Sequence, residues 1–396
     1  MLKVILIICV SIMLLGKAEM AKTKEDLTKF LTTSTPTILF SVNDGEAGAL
    51  VMGDGVPVQD SVSVVRLSSD APPEIKTVYG GAHSSLLGSP HAAVVGRFGI
   101  VTNHNIRLDE QRQFVEKNGV HEGRNQIAVM DLDSMKVTDI EYLDAIPWLA
   151  HAHPDDRRII VGLSDGWLVA SISEEGKLTE LTRSDYEYQI ASFDLSPDGE
   201  HILAVVGSPS EAQWLARFSL DGDIVRVDGK TDPQEFLVEG PFSPRIYPQG
   251  NRALVLNSGG LSDGLLDDVM IVDMKENQVI GRIPQISDGL ESIAIHPSGR
   301  FAVISCLNAM PWSTTSHISV IDLQRQSPRL TYSMPVEPIP EGIEFTEDGS
   351  QLFLGSTLAN HISVYSVDGM NLIAQPFVLG IGEGHAALGI SFPSAD

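Results

Sequence analysis

The densest group of chemically versatile side chains in this 396-residue chain lies between Asn103 and Asn125. Histidine there could act as a base or a metal ligand, glutamate as an acid, and arginine as a bidentate clamp for a carboxylate. A solvated surface loop would carry similar charges, and that alternative stays open here. The candidates in this segment are His104, Arg107, His121, Glu122 and Arg124.

Several well-known chemical signatures are missing from the sequence. There is no His-Glu-x-x-His, no Cys-x-x-Cys and no phosphate-binding Gly-x-x-x-x-Gly-Lys-Ser/Thr stretch. Cys306 is the only cysteine outside the N-terminal apolar run, so an internal disulfide is excluded, and we expect Cys306 to be a buried packing residue. Function must therefore be argued from how the fold gathers residues that are distant in sequence.

A short repeated pattern predicts that fold. Six times an apolar strand runs into a tight turn and out into a second apolar strand; the copies are AHAHPDDRRIIVGL, SFDLSPDGEHILAVV, PRIYPQGNRALVLN, SIAIHPSGRFAVIS, GIEFTEDGSQLFLGS and a degenerate AAVVGRFGIVTN. Proline presets φ, aspartate bonds nearby backbone and glycine accepts positive φ, so each copy predicts a β-hairpin.

The spacing of the repeat indicates a β-propeller. The turn position is occupied by Pro154, Pro197, Pro248, Pro297 and Glu347, at intervals of 43, 51, 49 and 50 residues. Repeats of this length with a further β-branched strand after each hairpin, such as HISVIDLQ (317–324), are typical of four-stranded propeller blades with strands a to d.

The two ends of the repeat region complement each other. Residues 36–43, 61–68 and 75–80 predict strands b, c and d without a strand a, whereas GHAALGISFPSAD at the end predicts a lone strand a. We therefore expect an all-β, seven-bladed propeller of antiparallel blades, over residues 36–396, whose C-terminal strand joins the N-terminal blade and leaves no open edge.

One face of this propeller is the candidate functional face. The turns between strands a and b are short, but several b-to-c connections are long: 44–60, 103–125, 257–267 and 307–316. Long loops on a rigid scaffold concentrate binding residues. His91, His385, Glu291 and Glu341, near the heads of inner strands, should point to the same mouth of the channel, and Trp312 could supply an apolar wall.

These side chains allow acid–base chemistry or metal binding. We assign catalytic candidates His91, His121, Glu122 and Glu341, and substrate-binding candidates Arg107, Arg124, Trp312 and His385. One divalent metal ion is a candidate cofactor, with His91, His104, His121 and His385 as candidate ligands. A histidine at a strand entrance is also commonly a hydrogen-bonded packing residue.

Two of the repeats resemble a known group of proteins. HPSGRFAVIS and EDGSQLFLGS…NHISVYSVDG are similar to the YVTN-type repeats of the lactonase-like seven-bladed propeller superfamily, and Ile100-Val101-Thr102-Asn103 is close to the namesake tetrapeptide. The resemblance implies lactone hydrolysis or a related lyase or isomerase reaction on a small cyclic or carboxylated molecule. It does not transfer an active site residue by residue. The alternatives are a non-catalytic metal- or ligand-binding carrier and a protein-interaction scaffold.

The N-terminus and the charge bear on location and partners. Residues 1–18 have a lysine, a twelve-residue apolar run and small residues before the expected cleavage site, which predicts a signal peptide and a periplasmic or secreted protein. Residues 19–35 are expected to form an extension with a short helix. The net charge of −25 disfavours nucleic acid as a partner. We expect a small-molecule ligand, no stable membrane span after cleavage, and a monomer.

Overall fold

The computed structural model describes residues 36–45, 58–68, 70–80, 82, 91–103, 106–108, 114–116, 125–208, 212–230, 241–258, 264–307 and 316–392. The predicted signal peptide, the 19–35 extension and most of the long b-to-c connections lie outside these residues. Among the described residues, no helix is both long and apolar enough to cross a membrane.

The described strands form seven four-stranded antiparallel sheets, which are the blades of a propeller. Blade 1 consists of β30 (His385–Ser391), β1 (Thr37–Asn43), β2 (Ser61–Leu67) and β3 (Glu74–Tyr79). Blade 2 consists of β4 (Ala93–Val95), β5 (Phe98–Asn103), β8 (Gln126–Asp131) and β9 (Lys136–Tyr142). Blade 3 consists of β10 (Pro147–Ala152), β11 (Arg158–Leu163), β12 (Gly166–Ile172) and β13 (Leu178–Asp185).

The remaining four blades have the same order from inner to outer strand. Blade 4 consists of β14 (Ile190–Leu195), β15 (His201–Ser208), β16 (Ala212–Asp221) and β17 (Ile224–Lys230). Blade 5 consists of β18 (Pro241–Ile246), β19 (Arg252–Asn257), β20 (Asp268–Asp273) and β21 (Gln278–Ile283). Blade 6 consists of β22 (Leu290–Ile295), β23 (Phe301–Cys306), β24 (Ser316–Asp322) and β25 (Arg329–Val336). Blade 7 consists of β26 (Ile343–Phe345), β27 (Gln351–Ser356), β28 (His361–Asp368) and β29 (Asn371–Gly380).

The ring closes as the sequence predicts. The C-terminal strand β30 pairs antiparallel with β1, with Ile38 opposite Ser391 and Val42 opposite Ala387. Blade 1 is therefore made from both ends of the repeat region, and β1 is paired with a strand on each side. One element was not predicted: β6 (Ile106–Leu108) and β7 (Phe114–Glu116) form a small hairpin inside the long b-to-c connection of blade 2.

Apolar packing between blades supplies the core. Each pair of neighbouring blades shares one buried apolar cluster, so the described residues contain seven such clusters around the ring. Both faces of the middle strands are buried, as in the fully buried β23, where Phe301, Val303 and Cys306 are at most 1% exposed. Burial also raises the pKa of the Cys306 thiol to about 12, which agrees with the predicted packing role.

The short a-to-b turns are stacked from blade to blade. His153 and His296 bond within their own turns and lie beneath the turn glycine of the next blade. Gly199 (φ +74°) and Gly349 (φ +70°) meet those rings so closely that a Cβ atom would overlap them. Positive φ and close approach together explain why glycine occupies the turns. We call this side of the propeller the turn end, and the opposite side, where the b-to-c connections leave, the loop end.

Candidate functional site

Four inner strands carry an ionisable residue at the same position of the repeat. His151, Asp194, Arg245 and Glu344 each lie three residues before the turn residue, on β10, β14, β18 and β26. Inner strands surround the central channel of a propeller, so one repeat position places these residues at a common depth. Together with His91, which precedes β4, they form what we call the channel cluster.

Arg245 joins the channel cluster across several blades. Its Nη2 atom lies 2.7 Å from both ring nitrogens of His91 and 3.5 Å from Glu344 Oε1. Its Nη1 atom lies 3.8 Å from Asp194 Oδ1, and its Nε donates to the Ile293 carbonyl at 3.1 Å. A single guanidinium from blade 5 therefore contacts residues of blades 2, 4, 6 and 7.

His91 and Glu344 form a hydrogen-bonded pair within the cluster. His91 Nδ1 lies 3.1 Å from Glu344 Oε1, and the His91 side chain is 8% exposed. We assign the ring proton to Nδ1 because a carboxylate can only accept; Nε2 then accepts from Arg245. Burial, and next the charge of Arg245, lower the pKa of His91 to about 4, against the opposing effect of Glu344. His91 is therefore neutral at neutral pH.

The two carboxylates of the cluster are shifted in opposite directions. Burial would raise the pKa of Glu344, but Arg245 and the hydrogen bond with His91 outweigh it, and the pKa is lowered. Burial dominates at Asp194 and raises its pKa to about 6, although Arg245 and a hydrogen bond from the Ile246 amide (2.7 Å) oppose it. Both groups are thus charged at neutral pH, beside one guanidinium.

His151 completes the cluster with an unused acceptor. Burial first, then Arg245 and His91, hold its pKa well below the usual range, and it bonds to the backbone of Phe193. Its ring packs 4.9 Å from the Phe193 ring and 6.4 Å from the His91 ring, measured between centroids. Its Nε2 atom is buried without a hydrogen-bond partner among the described residues. A bound water or ligand could donate to this nitrogen.

A second group, of one buried and one half-buried glutamate, lies nearer the loop end. The carboxyl groups of Glu291 of blade 6 and Glu341 of blade 7 interact, and each affects the titration of the other. Burial, and for Glu341 also the neighbouring charge, raise the pKa of Glu291 to about 7 and the pKa of Glu341 well above its usual value. We call Glu291 and Glu341 the carboxyl pair.

His385 packs against the carboxyl pair from blade 1. It is fully buried; its Nε2 lies 2.9 Å from the Glu341 carbonyl and its Nδ1 lies 2.8 Å from Ser41 Oγ. Burial lowers the pKa of His385 to about 4. Since both ring nitrogens have protein partners, these contacts are those of a residue that positions Glu341.

Other predicted site residues cannot be located in the same way. His104, His121, Glu122, Arg124 and Trp312 lie outside the described residues, and of Arg107 only the backbone, in β6, is described. Within the described residues, no three His, Cys, Asp or Glu side chains are grouped to hold a metal ion. The roles of the loop residues and of a metal stay predictions.

One serine motif has a structural explanation. Residues 162–166 read Gly-Leu-Ser-Asp-Gly, a match to the Gly-x-Ser-x-Gly pattern of nucleophilic serines. That pattern requires a strand-to-helix turn, whereas Ser164 lies in the tight turn between β11 and β12 and its Oγ accepts from the Ile146 amide at 3.0 Å. Ser164 is therefore a turn residue.

The sequence analysis names His91, Glu291 and Glu341 as candidates, but it does not name Arg245, Asp194 or Glu344, which the structure places beside His91. The sequence does contain a signal for these residues: the position three before the turn residue is charged in three repeats and is histidine in a fourth.

Comparisons with known proteins support the fold. No family model matches the sequence, and no curated protein matches it. Among solved structures, a 6-phosphogluconolactonase-like protein from Bacteroides uniformis has a TM-score of 0.64 at 14% identity, covering 91% of this chain and 100% of its own. A periplasmic gluconolactonase from Pseudomonas aeruginosa has a TM-score of 0.61 at 12% identity, with 91% and 100% coverage.

A third similar structure comes from a protein with another role. Sqt1 from Chaetomium thermophilum, solved with the N-terminus of ribosomal protein L10, has a TM-score of 0.50 at 16% identity and 75% coverage of both chains. Identities this low establish architecture alone. The chain is thus a seven-bladed β-propeller similar in structure to lactonase-like propellers.

Proposed function

We propose that this protein is a lactonase-like hydrolase that opens a small lactone in its central channel. The observation that carries the proposal is the contact among His91, Glu344 and Arg245: a neutral imidazole held by a carboxylate, beside a guanidinium. A base, a group that orients it and an electrophile within one contact set are the minimum for acyl transfer to water.

The proposed reaction begins when Arg245 turns from His91 to the substrate carbonyl oxygen. His91 Nε2 is then free to accept a proton from water as the water oxygen attacks the carbonyl carbon. Glu344 holds the Nδ1 proton and stabilises the imidazolium, while Arg245 stabilises the negative oxygen. The ring C–O bond breaks, the leaving oxygen takes a proton, and a hydroxy acid is released.

We propose roles for the remaining predicted residues as well. Glu341, whose pKa is raised well above its usual value by burial and by Glu291, is our candidate proton donor to the leaving oxygen. Arg107, Arg124 and Trp312 are proposed to bind the substrate, and His121 with Glu122 to assist the acid–base steps. His385 would act through Glu341.

We further propose that the protein works outside the cytoplasm as a monomer. The predicted signal peptide over residues 1–18 supports export. The closed ring supports a monomer, since all seven blades are completed by strands of this chain and none needs a strand from a second copy. Gel filtration of the mature protein tests the second statement, and a dimer would contradict it.

A non-catalytic ligand-binding propeller is the alternative function. Every nitrogen of the Arg245 guanidinium already lies near a protein acceptor or carboxylate. If Arg245 stays in these contacts, His91 Nε2 stays occupied and cannot take a proton from water. In this case a lactone or hydroxy acid would bind without turnover.

Acid release from a panel of five- and six-membered lactones, followed by pH-stat titration against the uncatalysed background, tests the proposal. We expect at least one lactone to be hydrolysed, with kcat/KM falling about 100-fold or more in His91→Gln. His296→Gln, at the turn end, is the matched control and should retain activity. Binding by calorimetry without acid release would favour the alternative, and full activity in His91→Gln would overturn the assigned base.

A further inference from the structure

Four connections at the loop end carry an acidic residue shortly before an inner strand. Asp144, Glu187 and Glu337 each lie ten residues before the turn residue of their repeat, and Glu383 lies two residues before β30. Equivalent positions of the repeat lie at a similar depth around the channel axis. All four residues are exposed, and among the described residues Asp144, Glu337 and Glu383 make no ion pair. We call these four residues, at the loop-end mouth of the channel, the acidic ring.

Two arginines on outermost strands near the loop end are bound to other carboxylates. Arg183 Nη2 donates to the two Asp165 carboxylate oxygens at 3.0 and 2.9 Å. Arg282 Nη1 lies 3.1 Å from Asp268 Oδ2. Each arginine thus pairs with an aspartate of its own blade, and neither offsets the charge of the acidic ring.

By sequence, other loop-end connections add further negative charge. Residues 46–57, 209–211, 231–240 and 259–263 contain no lysine or arginine, and their acidic residues are Glu46, Asp54, Glu211, Asp232, Glu235, Glu239 and Asp263. The long connection 103–125 contains four basic and four acidic residues. Its arginines and lysine are therefore balanced within the same segment and do not reverse the sign of this end.

The channel behind the ring does not supply a compensating positive charge. Arg245 is the cation of the channel cluster, and its guanidinium nitrogens lie 3.5 Å from Glu344 and 3.8 Å from Asp194. Two carboxylates therefore oppose one guanidinium. Low-dielectric walls focus the field of like charges at the mouth of a cleft. The field at the loop end should attract cations and repel anions.

From this arrangement we propose that the acidic ring selects ligands by charge, and that the substrate is a lactone without a negative charge, bound fastest when it carries an ammonium group. The substrate class rests on the proposed function, whereas the charge preference of the mouth does not. Arg107 and Arg124 would then donate to ester oxygens of the substrate and not to a carboxylate.

Paramagnetic relaxation by small charged nitroxides tests the charge preference without a substrate. Aminomethyl-PROXYL is cationic and carboxy-PROXYL is anionic, and each relaxes the amide protons of the surface that it approaches. At about 20 mM salt, we expect the cationic probe to relax the Leu143 and Gly384 amides, next to the ring, at least about 3-fold more strongly than the anionic probe. The ratio should approach one at about 500 mM salt, where the charges are screened.

Two triple variants assign the preference to the acidic ring. Asp144→Asn/Glu337→Gln/Glu383→Gln should lower the ratio of the two relaxation rates at low salt. The matched control removes the same charge from exposed positions at the turn end and should keep the ratio of the wild type; it is Glu174→Gln/Glu200→Gln/Glu347→Gln.

Turnover of a matched series of lactones tests the substrate class. The series is γ-butyrolactone with a trimethylammonium group, without a charged group, and with a carboxylate. We expect kcat/KM at low salt to fall in this order, with the cationic lactone at least about 10-fold above the anionic one. The difference should shrink in the ring variant and persist in the control.

Equal relaxation by the two probes at low salt, or a ratio that the ring variant leaves unchanged, would overturn the charge preference. Faster hydrolysis of the anionic lactone than of the other two would overturn the substrate class. If no lactone is hydrolysed, the proposed function fails, and the nitroxide ratio still decides whether the mouth selects by charge.

Discussion

Glu341 and Glu344 are three residues apart in blade 7, yet their partners give the two carboxyl groups opposite pKa shifts. Glu344 faces Arg245 and His91, and its pKa is lowered; Glu341 faces Glu291, and its pKa is raised well above the usual value. The channel cluster neutralises buried carboxylates with a guanidinium, and the carboxyl pair neutralises its charge with a proton. Burial alone therefore does not determine the charge of a glutamate; the partner across the blade contact does.

Removing the Arg245 guanidinium should lower the stability of the protein more than any other change to these two groups. Arg245→Met leaves Glu344 and Asp194 buried without their cation, and we expect the free energy of unfolding at pH 7 to fall by about 3–5 kcal/mol. Urea denaturation measures it. Arg157→Met, at an exposed turn position, should change it by less than about 0.5 kcal/mol. A loss for Arg245→Met as small as that of the control would show that the cluster is not held by this cation.

Asp194 should make stability depend on pH. Its pKa is about 6 in the folded protein against an ordinary 3.8, so the folded state keeps a proton that the unfolded state has lost. Stability from this group is complete below about pH 4 and decreases up to about pH 6, by about 3 kcal/mol for a shift of this size.

Asp194→Asn should remove that decrease, because an amide cannot ionise. The measurement is urea denaturation of wild type and variant at pH 4, 5, 6 and 7. We expect the difference between the two proteins to grow in favour of the variant as pH rises. A constant difference over this range would contradict the assigned pKa.

A smaller effect is expected where His385 supports Glu341. A Cβ atom at Gly355 would overlap His385 Nε2 and crowd the Glu341 carbonyl, so Gly355→Ala should cost about 1–3 kcal/mol of unfolding free energy. Gly380→Ala, where a Cβ meets nothing within 4 Å, is the matched control. Equal thermal stability of the two variants would show that His385 does not hold Glu341 in place.

These residues also show how far sequence reasoning reaches. The seven blades and the closing pair of β30 with β1 could be predicted, because repeated turns and alternating strands are local signals. The hairpin of β6 and β7 could not, since it lies in a charged segment without the repeat. Placing Glu291 and Glu341 in equivalent slots anticipated their neighbourhood. Their interaction depends on a contact between residues fifty positions apart in sequence.

The channel cluster shows what the sequence alone does not reveal. Arg245 and His91 are 154 positions apart and touch only because the ring closes. His91 was assigned from its place at an inner strand, but its partner could be found only from the geometry. A charged residue at one repeat position is visible in a sequence; which of the other blades it reaches is not.

Carbon-13 NMR of protein labelled at the glutamate side-chain carboxyl, from pH 4 to 8, tests most directly whether partner and not burial sets the charge. The signals are assigned with Glu341→Gln and Glu344→Gln. We predict that the Glu341 carboxyl keeps its proton well above the ordinary glutamate pKa of 4.5, while Glu344 is ionised below that value. Two glutamates that titrate together near 4.5 would contradict the account.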